Sequence, residues 1–284
     1  MVQETAYSDA KQREACSSRF EIGAQIGEGS FGRVFRAYDR SRGRTVAMKF
    51  LKYGTKDNYS AFQSEYRTLR ALESPYVVRA YDWLEDTGER AFSMELIEGV
   101  SFVRWVREAG RCDERRLRHG LLQVTRALST LCEHALIHRD LKPNNLLVTA
   151  QGHVTLIDFG LATRLDAEIP PQGRSDGTLA YMAPEQLVQQ RLTCAADIYG
   201  LGVVCYEALT GRPPFEGDPR AQLLAKFGQR PHPPSRWVRG VTADLEAWVL
   251  DMLAVDPADR PTAQALQQRL GDAEHASSFA VRGC

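Results

Sequence analysis

Four short segments carry side chains whose types and spacing suit chemistry on a phosphate and a hydroxyl. In His138-Arg139-Asp140-Leu141-Lys142-Pro143-Asn144-Asn145, Asp140 can take a hydroxyl proton, Lys142 supplies a cation, and Asn145 offers an amide oxygen to a hard metal ion. Asp158-Phe159-Gly160 follows the strand-like run HVTLI; a carboxylate at a strand end suits a metal ligand, and the same tripeptide also suits a plain β-turn. Gly27-Glu28-Gly29-Ser30-Phe31-Gly32-Arg33-Val34 could bring backbone N–H groups close to phosphate oxygens, or form an ordinary glycine-rich hairpin. No helix opens after Gly32, which argues against a dinucleotide-binding turn. Lys49 ends the alternating run Val46-Ala47-Met48-Lys49, seventeen residues after Gly32, as a strand returning beneath that loop would place it. Glu65 is its candidate carboxylate partner, a role competing with that of a solvated helix acid.

From Phe20 to about Glu98, short β-like runs are bounded by Gly, Asp, Ser or Pro. One helix interrupts them, Asn58–Leu72, with its buried face at Phe62, Tyr66, Leu69 and Leu72. After Gly99 the pattern is mostly helical: Ser101–Glu108, Arg115–His134, the apolar Ala195–Thr210, Pro219–Phe227, Thr242–Leu253 and Thr262–Leu270. The expectation is an α+β fold of two lobes, a small β-rich N-terminal lobe with one main helix and a larger, mostly helical C-terminal lobe. Its segments are a loosely ordered extension over 1–19, the first lobe over 20–94, a hinge at 95–98, the second lobe over 99–271 and a tail over 272–284.

Thirty-six Lys and Arg balance thirty-six Asp and Glu in 284 residues, so there is no basic excess of the kind a nucleic-acid binder carries. The N-terminus has no apolar core of a signal peptide, and no run of about eighteen apolar residues occurs. The six cysteines, Cys16, Cys112, Cys132, Cys194, Cys205 and Cys284, include no CxxC pair. They read as reduced thiols, with Cys132, Cys194 and Cys205 as small core hydrophobes in a cytoplasmic protein.

Together the chemical segments resemble the eukaryotic-type serine/threonine protein kinases, whose signature set has this order. The likeness extends to Gly177-Thr178 with Ala183-Pro184-Glu185, to Asp197-Ile198-Tyr199-Gly200-Leu201-Gly202, and to Asp256-Pro257 with Arg260-Pro261, and it covers about residues 20–270. The wording GTLAYMAPEQ resembles bacterial members. The resemblance implies a two-lobed kinase fold that binds ATP with Mg²⁺, Mn²⁺ being an alternative, and acts on protein substrates. Ile26, Gly27, Glu28, Gly29, Ser30, Phe31, Gly32 and Val34 would cover the nucleotide, with Ala47 and Leu147 on the adenine. Met94 would be the gatekeeper and Glu95, Leu96 and Ile97 the hinge that binds adenine through its backbone. Lys49, paired with Glu65, would contact the α- and β-phosphates; Asn145 and Asp158 would hold the metal. Asp140 would accept the substrate proton, with Lys142 beside the γ-phosphate and Thr178 beside Asp140. Glu185 and Arg260 would form a buried ion pair.

Lys142, two residues after Asp140, matches the family's serine/threonine pattern, and Leu161 leans towards serine as acceptor. Arg139 implies a need for an anion on the following segment, for which Ser175 is the candidate phosphosite and Asp176 the simpler alternative. A small-molecule phosphotransferase usually lacks the Gly-Thr…Ala-Pro-Glu peptide platform present here. A nucleotide-holding scaffold would usually have lost Lys49, Asp140 or Asp158.

Overall fold

The computed structural model describes the backbone of residues 18–29, 32–52, 56–86, 89–165, 179–188 and 190–281. It divides into two compact units, Met1–Ile97 with Asp158–Leu161, and Glu98–Ile157 with Ala162–Cys284.

The first unit is a sheet and a helix: β1 (Phe20–Glu28), β2 (Gly32–Asp39), β3 (Arg44–Leu51), α1 (Lys56–Ala71), β4 (Ala80–Asp86) and β5 (Glu89–Met94). The strands run antiparallel in the order β1-β2-β3-β5-β4. Because side chains alternate between faces, Phe35, Ala37, Val46, Met48 and Phe50 gather on one face with Phe20 and Ala91. Lys49 is thereby turned to the other face, opposite Val34 on β2 and Phe92 on β5. On that second face lies α1: the Phe62 ring is 5.0 Å from Phe92 and 5.6 Å from Trp83. The buried stripe of α1 is Phe62, Glu65 and Leu69, with Leu72 buried just past its end, so helical spacing carries one carboxylate into an apolar face. At the far edge, Arg19 clamps buried Asp39 with bonds of 3.0 and 2.7 Å and reaches Asp82 at 2.6 Å.

The second unit contains β6 (Gly99–Ser101), α2 (Phe102–Val106), α3 (Glu114–Glu133), β7 (Leu136–Ile137), β8 (Leu146–Thr149), β9 (Val154–Leu156) and β10 (Thr163–Arg164). It continues through α4 (Pro184–Leu187), α5 (Ala195–Thr210), α6 (Pro219–Gly228), α7 (Ala243–Met252) and α8 (Ala263–Val281). Asp113 caps α3 by accepting the Arg115 and Arg116 N–H groups at 3.0 and 3.1 Å. Helix α5 is apolar on nearly every side and buried accordingly, which makes it the spine of the unit. It stops at Gly211, whose φ of +82° takes the left-handed conformation while its N–H caps Glu207 O at 2.7 Å. Helix α8 packs on α3 and stays helical past the expected end at Leu270, to Val281. Among the described residues no helix is long and apolar enough to cross a membrane.

One expectation is overturned. Cys132, at the end of α3, and Cys194, at the start of α5, are joined in a disulfide with Cα atoms 5.9 Å apart. Both sit at helix ends that meet in space although 62 residues separate them, a proximity that spacing alone does not encode. Cys205 is a buried free thiol, as expected, and Cys112 is free and half-buried.

Candidate active site

In the first unit, the pleat of β3 and the buried stripe of α1 bring Lys49 and Glu65 together. Lys49 Nζ donates to Glu65 Oε1 at 2.6 Å and to Asp158 Oδ1 at 2.9 Å. Burial works against charge on Lys49, but the Glu65 and Asp158 carboxylates outweigh it and hold the ammonium above the ordinary lysine range. Asp158 adopts a φ of +62°, a conformation rare for a non-glycine residue and one that tends to gather at functional sites. The glycine-rich loop passes close above: a side chain at Gly32 would come within 2.8 Å of Phe50 O and 3.0 Å of Lys49 Cγ. The Gly29 N–H closes the loop on Gly32 O at 2.9 Å, and a methyl at Gly29 would lie 3.6 Å from Asp158 Oδ2.

Gly27 faces Val34 across the β1–β2 pair, and Ala47 faces Met94 across β3–β5. Ile26 is exposed, and Glu28 forms an ion pair with Lys52. The Glu95 N–H is taken by Arg79 O at 2.9 Å, while Leu96 and Ile97 are half-buried between β5 and β6. Ser30, Phe31, Thr178 and Ser175 lie outside the described residues.

In the second unit, β7 delivers the chain into His138–Asn145. Asp197, in the first turn of α5, accepts the His138 N–H at 2.7 Å and the Arg139 N–H at 2.8 Å. Burial pushes the Asp197 carboxyl up, and His138 with the two N–H groups pulls it back. This clamp holds Arg139 at a φ of +70° and so sets the direction in which Asp140 leaves. Asp140 Oδ2 accepts Lys142 Nζ at 2.7 Å and Asn145 Nδ2 at 3.0 Å. Asp140 Oδ1 is buried and has no hydrogen-bond partner among the described residues. The Asn145 amide nitrogen also donates to Asp140 O at 2.8 Å, leaving its oxygen as the atom available to a cation. Leu147 lies on the outward, half-buried side of β8, between Ser101 and Thr155.

Among the described residues no group of three or more His, Cys, Asp or Glu could cage a metal ion. Asp158 in the first unit and Asn145 in the second each present a hard oxygen of the type Mg²⁺ takes. Deeper in the second unit, Arg260 grips Glu185 through bonds of 2.6 and 2.9 Å, with both side chains buried. The Arg139 guanidinium is buried, which pulls it below the ordinary arginine range, and its Nε has no partner among the described residues.

The role of Asp197 escaped sequence reasoning, although an acid in the first turn of an otherwise apolar helix is a signal that could have revealed it. Lys226 was missed too; a lone lysine inside α6, in a chain with only six lysines, gave little to read.

A family model described as protein kinase domain matches residues 20–270. The serine/threonine-protein kinase PknE of Mycobacterium bovis is 35% identical over 239 residues, covering 83% of this chain and 42% of that protein. The serine/threonine-protein kinase PknA of Mycobacterium tuberculosis is 36% identical over 227 residues, covering 77% of this chain and 53% of that protein. The chain thus spans about half the length of the curated relatives it matches. With the match running from the first strand into the last helix, and with an ordered lysine–carboxylate group and a clamped Asp140 loop behind it, this chain belongs to the protein kinase domain family.

Proposed function

We propose that this domain transfers the γ-phosphoryl group of MgATP to serine or threonine hydroxyls of proteins, its own chain included. The observation that carries this reading is Asp140: one carboxylate oxygen is occupied by Lys142 and Asn145, and the other is buried and unpartnered. A hydroxyl donating to that free oxygen would be oriented and relieved of its proton as it attacks. Lys142 adds positive charge where the transferred group gathers negative charge. Lys49, fixed by Glu65 and Asp158, binds and orients the nucleotide phosphates. Bound Mg²⁺ would supply charge neutralisation on the phosphate oxygens, with Asp158 and Asn145 as its protein ligands. Ala47, Val34, Met94 and Leu147 supply apolar surface for the base, and the backbone of Glu95–Ile97 its hydrogen-bonding edge. Dependence on ATP favours a cytoplasmic setting; the bridged Cys132 and Cys194 lend no support to that placement.

The test is transfer from γ-labelled ATP to myelin basic protein, wild type beside Asp140→Asn. Label on Ser and Thr with the wild type, reduced about 10³-fold or more in the variant while nucleotide binding persists, is the expected result. Comparable label with both proteins would remove Asp140 from the chemistry.

A further inference from the structure

Helix α6 places a lysine where its neighbours are apolar. Leu223 packs on the Leu179, Met182 and Leu187 cluster, and Lys226 follows one turn later, 1% exposed. Its ammonium reaches two main-chain carbonyls, Ala180 O at 2.9 Å and Met182 O at 2.6 Å. The turn they belong to is closed by the Met182 N–H on Leu179 O at 3.3 Å, so these two carbonyls need another donor. Lys226 Nζ lies 5.0 Å from the centre of the Tyr199 ring, with Arg260 at 4.9 Å from the same ring and Glu185 paired to Arg260. Burial pulls Lys226 down to about 7, with Arg260 adding to the shift and Glu185 opposing it. Losing its proton would not undo the contact, because a neutral amine keeps two N–H donors for the two carbonyls.

A leucine here would extend the apolar cluster without desolvating a charge. What a leucine could not do is hold the Ala180–Met182 turn in place, and that turn borders the catalytic loop. Tyr181 and Met182 line one small pocket with Arg139, Asp140 and Leu141. Gln186 Nε2 donates to Arg139 O at 3.0 Å, and Tyr181 is tied to Glu207 at 2.7 Å. The turn thus stands beside the group that would receive an acceptor hydroxyl. We propose that Lys226 is a positioning residue for the protein acceptor, its side chain fixing the Ala180–Met182 turn beside Asp140. The inference rests on Asp140 being the group that receives the acceptor hydroxyl. No contact of Lys226 involves Lys49, Glu65 or Asp158, so nucleotide binding is not expected to depend on it.

The experiment is steady-state transfer to myelin basic protein with Lys226→Met, which keeps the length of the side chain and removes its donors. The KM for the acceptor should rise about tenfold or more, with the KM for ATP within a factor of about two. Lys226→Gln, which retains an amide NH₂ on a shorter arm, should recover part of the loss, and it takes over the test if Lys226→Met does not fold. A role in packing alone would raise both KM values together or leave the acceptor KM unchanged, and either outcome in a folded variant overturns the proposal. Asp140→Asn is measured alongside. Transfer surviving in Asp140→Asn would refute the reading of the site, whereas an inactive Asp140→Asn with an unaltered acceptor KM in Lys226→Met would refute the anchor alone.

Discussion

Asp197→Asn removes one contact of the His138–Asn145 loop and little volume. In the wild type, the two carboxylate oxygens accept one backbone N–H each, from His138 at 2.7 Å and Arg139 at 2.8 Å, with the side chain buried. Asparagine has one oxygen; its NH₂ must face the second N–H as donor against donor. One bond to a charged acceptor is lost, about 1.5–3 kcal/mol, and a buried N–H is left unmet, about 1–3 kcal/mol. The loop also escapes a φ of +70° at Arg139, a conformation that costs a non-glycine residue about 1–2 kcal/mol, so relaxation is downhill. The two losses together, about 2.5–6 kcal/mol, fall on three residues that end at Asp140. A displacement there of about 1 Å should lower kcat about 100-fold. Nucleotide affinity should stay within a factor of about two, because the Lys49, Glu65 and Asp158 contacts do not pass through Asp197. Labelled-ATP transfer gives kcat, and the thermal shift on adding MgATP gives binding. Near-normal kcat in a folded Asp197→Asn protein would refute the reasoning, as would nucleotide affinity falling in step with kcat.

Two further outcomes concern stability. Burial alone would raise the Asp39 carboxyl, but Arg19 and Ser41 hold it well below its ordinary value of 3.8. The lowered value means that Asp39 contributes stability above pH 3.8, on the order of 2 kcal/mol, and loses it as pH falls through the lowered value. Denaturant titrations from pH 7 to pH 2.5 should show Arg19→Ala with a shallower acid slope than the wild type; parallel slopes would contradict the assignment. The Cys132–Cys194 bridge closes a 62-residue separation, for which chain entropy gives about 4 kcal/mol. Reductant should lower the wild-type Tm by roughly 8–16 °C and leave Cys132→Ser unmoved; equal response of the two proteins would exclude the bridge in solution.

Much of the Lys49–Glu65 pairing was legible in the chain because its chemistry is carried by residue type at short spacing. A strand with period two turns Lys49 away from Val46, Met48 and Phe50, and a helix with Phe62 and Leu69 buried must bury Glu65 near them. The Asp140–Asn145 spacing likewise puts a carboxylate, an ammonium and an amide within one loop. The clamp of Asp197 on His138 and Arg139 spans 59 and 58 residues, and the Lys226 contacts span 44 and 46. Local sequence flags Asp197 only as an acid in an apolar helix and names no partner for it or for Lys226, since each pairing arises where a helix end or a helix face packs against a loop from elsewhere in the chain. The cysteines make the same point in reverse. Their local surroundings suggested separate core thiols, while the packing of α3 against the start of α5 brought two of them within bonding distance.

By itself the sequence determined the family, the two-part order of a β-rich then a helical region, and the inventory of reactive groups, because periodicity and residue chemistry act over a few neighbours. Only the tertiary structure decided which oxygen of Asp140 stays free, which acid holds the loop that presents it, and which lysine holds the turn beside it. Those choices depend on burial, which raises the cost of every unpaired polar atom and so selects among partners that are distant along the chain.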